Sequence, residues 1–184
     1  MLRTRPLQLL GPQKTRSDMM KWLPDLLFGK RRSAPAAKPS PEHAALVRVT
    51  ERATRNGNPE DRKVPVPLLT LEEFFSGNDE TGSIGCNLLS APTPGQFSDL
   101  LTSLREREDV SDIRVQITCL DDPGRQWPFS DTIWFVTTAS EVAVRSWFPS
   151  ELAPDEVWTG WQDRTLYEKC EVPDGHRPVA AWYD

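Results

Sequence analysis

Apolar and polar side chains alternate strictly through Ile113, Arg114, Val115, Gln116, Ile117, Thr118 and Cys119. A two-residue period sets one face of a strand against a core and turns the other outward. Ile133, Trp134, Phe135 and Val136 form a denser apolar run that predicts a strand over 132–138. Two more strands are expected. One spans 83–88, where Ile84, Cys86 and Leu88 alternate with Gly85 and Asn87, and a closing one spans 178–183 through Val179, Ala181 and Tyr183.

Between these runs the period lengthens to that of a helix. Phe97, Leu100, Leu101 and Leu104 stand at offsets 0, 3, 4 and 7, behind Pro94 and Gly95, and predict a helix over 94–108. Ser140 reads as the N-cap of another, with Val144, Trp147 and Phe148 on one side. Thr70 and Glu73 have the spacing of a capping box ahead of Phe74 and Phe75, closed by Gly77 and Asn78. Ser40 before Pro41 opens a helix with a weak apolar face that runs toward Gly57.

In chain order the elements of residues 83–183 read β-α-β-β-α-β. The expected fold is therefore α+β: a ferredoxin-like sandwich with a four-stranded antiparallel sheet and both helices on one face. Strand parity then sorts the side chains. The helix side receives Ile84, Cys86, Leu88, Ile113, Val115, Ile117, Cys119, Ile133, Phe135, Val179, Ala181 and Tyr183, and the open side receives Gly85, Asn87, Arg114, Gln116, Thr118, Trp134, Val136, Ala180 and Trp182. Trp134 and Trp182 would flank a shallow slot at Gly85 and Asn87. A large aromatic removes about 150–250 Å² from water when buried, so this slot needs a cover. The cover is either intramolecular, from an N-terminal helix, the Thr70 helix or the loop over 154–170, or it is a ligand or partner.

Charge divides the chain in two. Residues 1–64 carry 14 Lys+Arg against 6 Asp+Glu, a net of +8, and residues 65–184 carry 8 against 21, a net of −13. Three segments follow: a basic, Pro/Ala-rich, partly disordered extension over 1–39, an amphipathic helix and linker over 40–64, and an acidic α+β domain over 65–184. Met19 and Met20 offer later starts of translation than Met1. Lys30, Arg31 and Arg32 give the arm an electrostatic route to an anionic membrane, with a solvated linker as the ordinary alternative. The acidic domain argues against nucleic acid as the partner. The stretch Trp22, Leu23, Pro24, Asp25, Leu26, Leu27, Phe28 is too short and interrupted for a membrane span or a signal sequence, which points to a cytoplasmic location.

The candidate chemistry is sparse. Cys86, Cys119 and Cys170 lack metal-ligand spacing and are odd in number, so no metal, cofactor or disulfide framework is expected. Cys86 and Cys119 fall in the core set. Cys170 and His176 are too loosely placed for a nucleophilic pair, and no phosphate-binding or hydrolase motif occurs. The one aromatic and acidic concentration is Asp155, Glu156, Val157, Trp158, Thr159, Gly160, Trp161, Gln162 and Asp163. Indoles provide contact area in interfaces and carboxylates steer a basic partner, so Asp155, Glu156, Trp158 and Trp161 are the candidate contact residues, with Trp134, Trp182, Asn87 and Gln116 on the open sheet face.

Residues 65–184 also resemble an uncharacterised family of small, acidic, single-domain bacterial proteins. The likeness rests on Leu71, Glu72, Glu73, Phe74 and Phe75 with Gly77 and Asn78, then on 82–88, on 127–131, on Pro154 to Val157, and on Ala181 and Trp182. It implies a compact bacterial domain and transfers no catalytic residue. The expected function is non-catalytic binding, most sharply an immunity protein that neutralises a basic toxin or enzyme. The alternatives are a small-molecule-binding or enzymatic domain using the open face, and a homodimeric regulatory or structural module.

Overall fold

The computed structural model describes residues 40–163 and 165–184. The expectations for the arm over 1–39 and for its start codons lie outside them. From Ser40 onward the described elements belong to one compact unit. They are α1 (Pro41–Ala53), β1 (Leu68–Leu69), α2 (Leu71–Phe75), α3 (Pro94–Arg105), β2 (Val110–Gln116), β3 (Thr132–Thr137), α4 (Glu141–Ser146), a 3-10 turn (Ser150–Leu152), β4 (Glu156–Thr159) and β5 (Arg177–Trp182).

The helices start where local chemistry sets them. The Ser40 hydroxyl accepts the His43 N–H at 3.2 Å with Pro41 in the first turn. Thr70 with Glu73 and Thr93 with Gln96 each close a reciprocal capping box, and Ser140 caps α4. α3 ends at Arg105, short of the expected 108, because the chain must turn back to the sheet: the Val110 N–H already bonds the Arg107 carbonyl at 3.2 Å. α4 ends at Ser146, with Trp147 as its C-cap.

The sheet is α+β in character and antiparallel throughout, but it has five strands rather than four, in the order β1-β2-β3-β5-β4. This corrects the expected four-stranded β-α-β-β-α-β arrangement at three points. Residues 83–88 form no strand: Gly85 sits at φ +61°, and a Cβ there would lie 2.8 Å from the Phe97 ring, so the chain turns where a strand would extend. Only an isolated bridge from Ile84 to Ser130 remains of that pairing, and β5 lies directly against β3. The other two points are strands that were not expected: β1, a two-residue edge paired with β2 just ahead of the Thr70 cap, and β4, which lies in the stretch expected to be loop.

Parity holds where strands form. Ile113, Val115, Ile133, Phe135, Val179 and Ala181 face the main core, with Ile117 and Tyr183 just beyond the strand ends; all are fully or almost fully buried against α2, α3 and α4. A bulge between Val110 and Asp112 lets Val110 join the same face. Cys86 and Cys119 do not belong to this core: Cys86 is exposed beside the Gly85 turn and Cys119 is half-buried.

α1 is part of the domain. Ala45, Val49 and Ala53 are buried in the main core, and Gly77, at φ +87°, permits the approach, since a Cβ there would stand 2.7 Å from that of Ala45. Arg52 bolts the helix down. Its guanidinium reaches Glu73 at 2.8 Å, Glu168 at 2.8 and 3.1 Å and the Leu68 carbonyl at 3.1 Å, with its side chain 12% exposed.

Candidate partner-binding face

The side of the sheet away from the main core is built row by row from strand register. Arg114, Trp134, Ala180 and Trp158 lie opposite one another across β2, β3, β5 and β4, and Thr132, Trp182 and Glu156 make a neighbouring row. Residues on this face at adjacent positions stand about 5 Å apart at Cβ across strands.

Trp134 lies beneath the surface. It is fully buried in a small second core with Leu68 and Ala180, against which Trp158, Trp161, Tyr167 and Cys170 pack. Its ring meets Trp161 at 4.5 Å, Tyr167 at 5.5 Å and Trp158 at 6.1 Å, and its N–H donates to Gln116 Oε1 at 2.9 Å. The cover is therefore intramolecular and comes from β4 and the chain after it. Trp134 is not a contact residue, and Gln116 is committed to holding it.

Asn87 and Asp155 are committed as well. Asn87 donates to Asp155 Oδ2 at 2.6 Å, and the Asp184 N–H donates to the same oxygen at 2.9 Å. The Asp184 amide, and then Asn87, hold the Asp155 carboxyl below its ordinary value. Arg145 meanwhile grips the Pro154 and Asp155 carbonyls at 3.1 and 2.9 Å. Asp155 thus ties the 83–88 turn to the C-terminal end of β5, and the expected slot between Trp134 and Trp182 is absent.

Glu156, Trp158, Trp161 and Trp182 do come together. With Thr159, Gly160, Gln162 and Asp163 they line an open groove of about 630 Å³. Glu156 stands directly opposite Trp182 in the β4–β5 register, with Trp158 two residues along the same face of β4. Among the described residues neither Glu156 nor Asp163 takes part in an ion pair, whereas Glu72, Glu73, Asp109, Asp112, Asp122 and Glu168 all do. The indole N–H groups divide in the same way: Trp127 and Trp134 donate to Phe74 and Gln116, and no such bond forms at Trp158, Trp161 or Trp182 among the described residues.

Asp163 carries no signal beyond its place in the acidic and aromatic stretch. Tyr167 and Glu168 were missed altogether, since their roles depend on Trp134 and Arg52, far away in sequence. The Tyr167 hydroxyl is buried and makes no well-formed hydrogen bond among the described residues, only weaker contacts to the Gln162 backbone and the Thr165 side chain.

Burial and then Asp121 push the Cys119 thiol up to about 11, and burial and then Asp112 raise that of Cys170, so both stay protonated at neutral pH. His176 Nδ1 lies 3.3 Å from its neighbour Asp174's carbonyl. Among the described residues no group of three or more His, Cys, Asp and Glu side chains could hold a metal ion, and no helix is long and apolar enough to cross a membrane.

Residues 44–181 match the family model described as the Uncharacterized protein YfbO family. The chain belongs to the YfbO family. It is 45% identical over 139 residues to the Uncharacterized protein YfbO of Escherichia coli (strain K12), an alignment that covers 76% of this chain and 98% of that relative. The YfbO family match begins inside α1, so it takes in the helix that Arg52 secures and reaches further toward the N-terminus than the likeness seen over 65–184. No solved structure matches.

Proposed function

We propose that the chain is a cytoplasmic binding protein that docks a basic protein partner on the groove of β4, β5 and the segment after β4. Neutralising such a partner, as an immunity protein does, is the sharpest form of this role. The observation that carries the reading is the pairing, in one groove, of half-exposed indoles with carboxylates that form no ion pair among the described residues. Indoles give an interface its strongest anchors, and unpaired carboxylates at the rim speed encounter with a cationic surface. The charge of the domain supports the same reading, since residues 40–184 hold 13 Lys+Arg against 25 Asp+Glu.

The test is site-specific cross-linking in the native host with a photoreactive side chain at Gln162 in the groove, against a control at the exposed Val142 on α4. Capture at Gln162 alone of a basic protein is expected, with the purified pair weakened about thirtyfold by Trp182→Ala. A Glu156→Lys change should slow association, with the loss shrinking as salt rises. Equal capture at both positions, capture of a second copy of the chain, or an affinity indifferent to both changes would overturn the reading.

A further inference from the structure

The domain already contains one exposed cation held by an indole and a carboxylate together. The Arg107 guanidinium lies 4.5 Å from the centre of the Trp147 ring, and it forks onto Asp109 through Nε at 2.8 Å and Nη2 at 3.1 Å. Arg107 is 41% exposed, so this arrangement holds at the surface, where an isolated ion pair is worth little.

The groove repeats two of the three parts. Glu156 has Trp182 opposite it across the strand pair and Trp158 two residues along β4, and Asp163 also lines the groove. Among the described residues no cation completes it. Extending the partner-binding reading above, we infer that the groove is a pocket for the guanidinium of a partner's arginine, which stacks on the Trp158 or Trp182 ring and forks onto Glu156. A guanidinium fits both demands: it is planar enough to stack, weakly hydrated enough to leave water against an indole, and it carries paired donors that match a carboxylate. An ammonium meets only the charge.

The experiment titrates the full chain with the peptide acetyl-Gly-Arg-Gly-amide and follows the indole N–H resonances by NMR, beside the same peptide with lysine or with neutral, isosteric citrulline. Saturable shifts are expected at Trp158 and Trp182, with none at Trp147, whose face Arg107 already fills. Citrulline should bind at least tenfold more weakly, lysine at least threefold, and Glu156→Gln should weaken the arginine peptide about fivefold. Glu156 makes no side-chain hydrogen bond among the described residues, so that variant keeps its fold, and the dispersion of the other indole signals reports it. Equal binding of citrulline or lysine, or indifference to Glu156→Gln, overturns the guanidinium pocket. If the arginine peptide fails while cross-linking at Gln162 captures a basic partner sensitive to Trp182→Ala, the pocket falls and the partner-binding reading stands. If the peptide binds as expected and no partner is captured, the reverse holds.

Discussion

Trp134 and Trp182 project from the same face of the sheet, yet they do opposite work. Trp134 is sealed under Trp158, Trp161 and Tyr167 with its N–H on Gln116, whereas Trp182 at the end of β5 keeps part of its ring in the groove. Trp134→Ala should therefore cost about 3–5 kcal/mol, the range for emptying a buried aromatic site, and Trp182→Ala well under half of that. Urea unfolding of the two variants checks the difference, and equal losses would mean that the groove wall belongs to the core. Tyr167 makes a finer point. Its buried hydroxyl makes no well-formed hydrogen bond among the described residues, only weaker contacts to the Gln162 backbone and the Thr165 side chain, so Tyr167→Phe should shift the urea midpoint little.

At the scale of elements, Arg52 decides whether α1 stays docked. It joins α1 to α2 through Glu73 and to the segment after β4 through Glu168, which also accepts the Leu68 N–H at 3.1 Å and Asn56 at 2.7 Å. Breaking a buried pair leaves its partner charged and unanswered, so Arg52→Ala should cost about 3 kcal/mol or more. Burial alone would raise the Glu168 pKa, but Arg52 and the Leu68 amide hold it below the ordinary glutamate value of 4.5. A carboxylate lowered on folding stabilises the protein above its unfolded-state pKa and withdraws that support as pH falls through the folded value. Stability should therefore decline as pH drops below about 4.5, and Glu168→Gln should flatten that decline. An unchanged acid limb in the variant would remove Glu168 from the account.

What the sequence made legible follows the range of each interaction. Ser40, Thr70 and Ser140 cap helices through bonds three residues away, and period-two alternation sorted Ile113, Val115, Ile133 and Phe135 correctly because a strand cannot change parity without a bulge. Residues 83–88 alternate as well as 113–119 do, but the Gly85 turn against Phe97 is a tertiary fact. β4 is four residues long, too short to show a period, and its pairing depends wholly on β5. Four of the candidate contact residues, Glu156, Trp158, Trp161 and Trp182, share one groove, while Asn87, Gln116, Trp134 and Asp155 hold the fold. Composition marked where indoles and carboxylates concentrate; which of them face outward is set by the neighbours each meets.

At the scale of the whole molecule, the sheet order places β5 between β3 and β4. During synthesis β4 is made before the strand that will hold it, and at that stage Trp134 can stand on the β1-β2-β3 sheet while Trp158 and Trp161 have no strand to seat them over it. The nascent chain thus passes through an interval in which an aromatic stretch is open to chaperones, and the interval closes only when β5 slots between its two neighbours. Stalled chains cut just before residue 177 and carried clear of the exit tunnel by a flexible linker should be captured by a ribosome-associated chaperone and cut readily by protease, and chains with β5 included on the same linker should resist both.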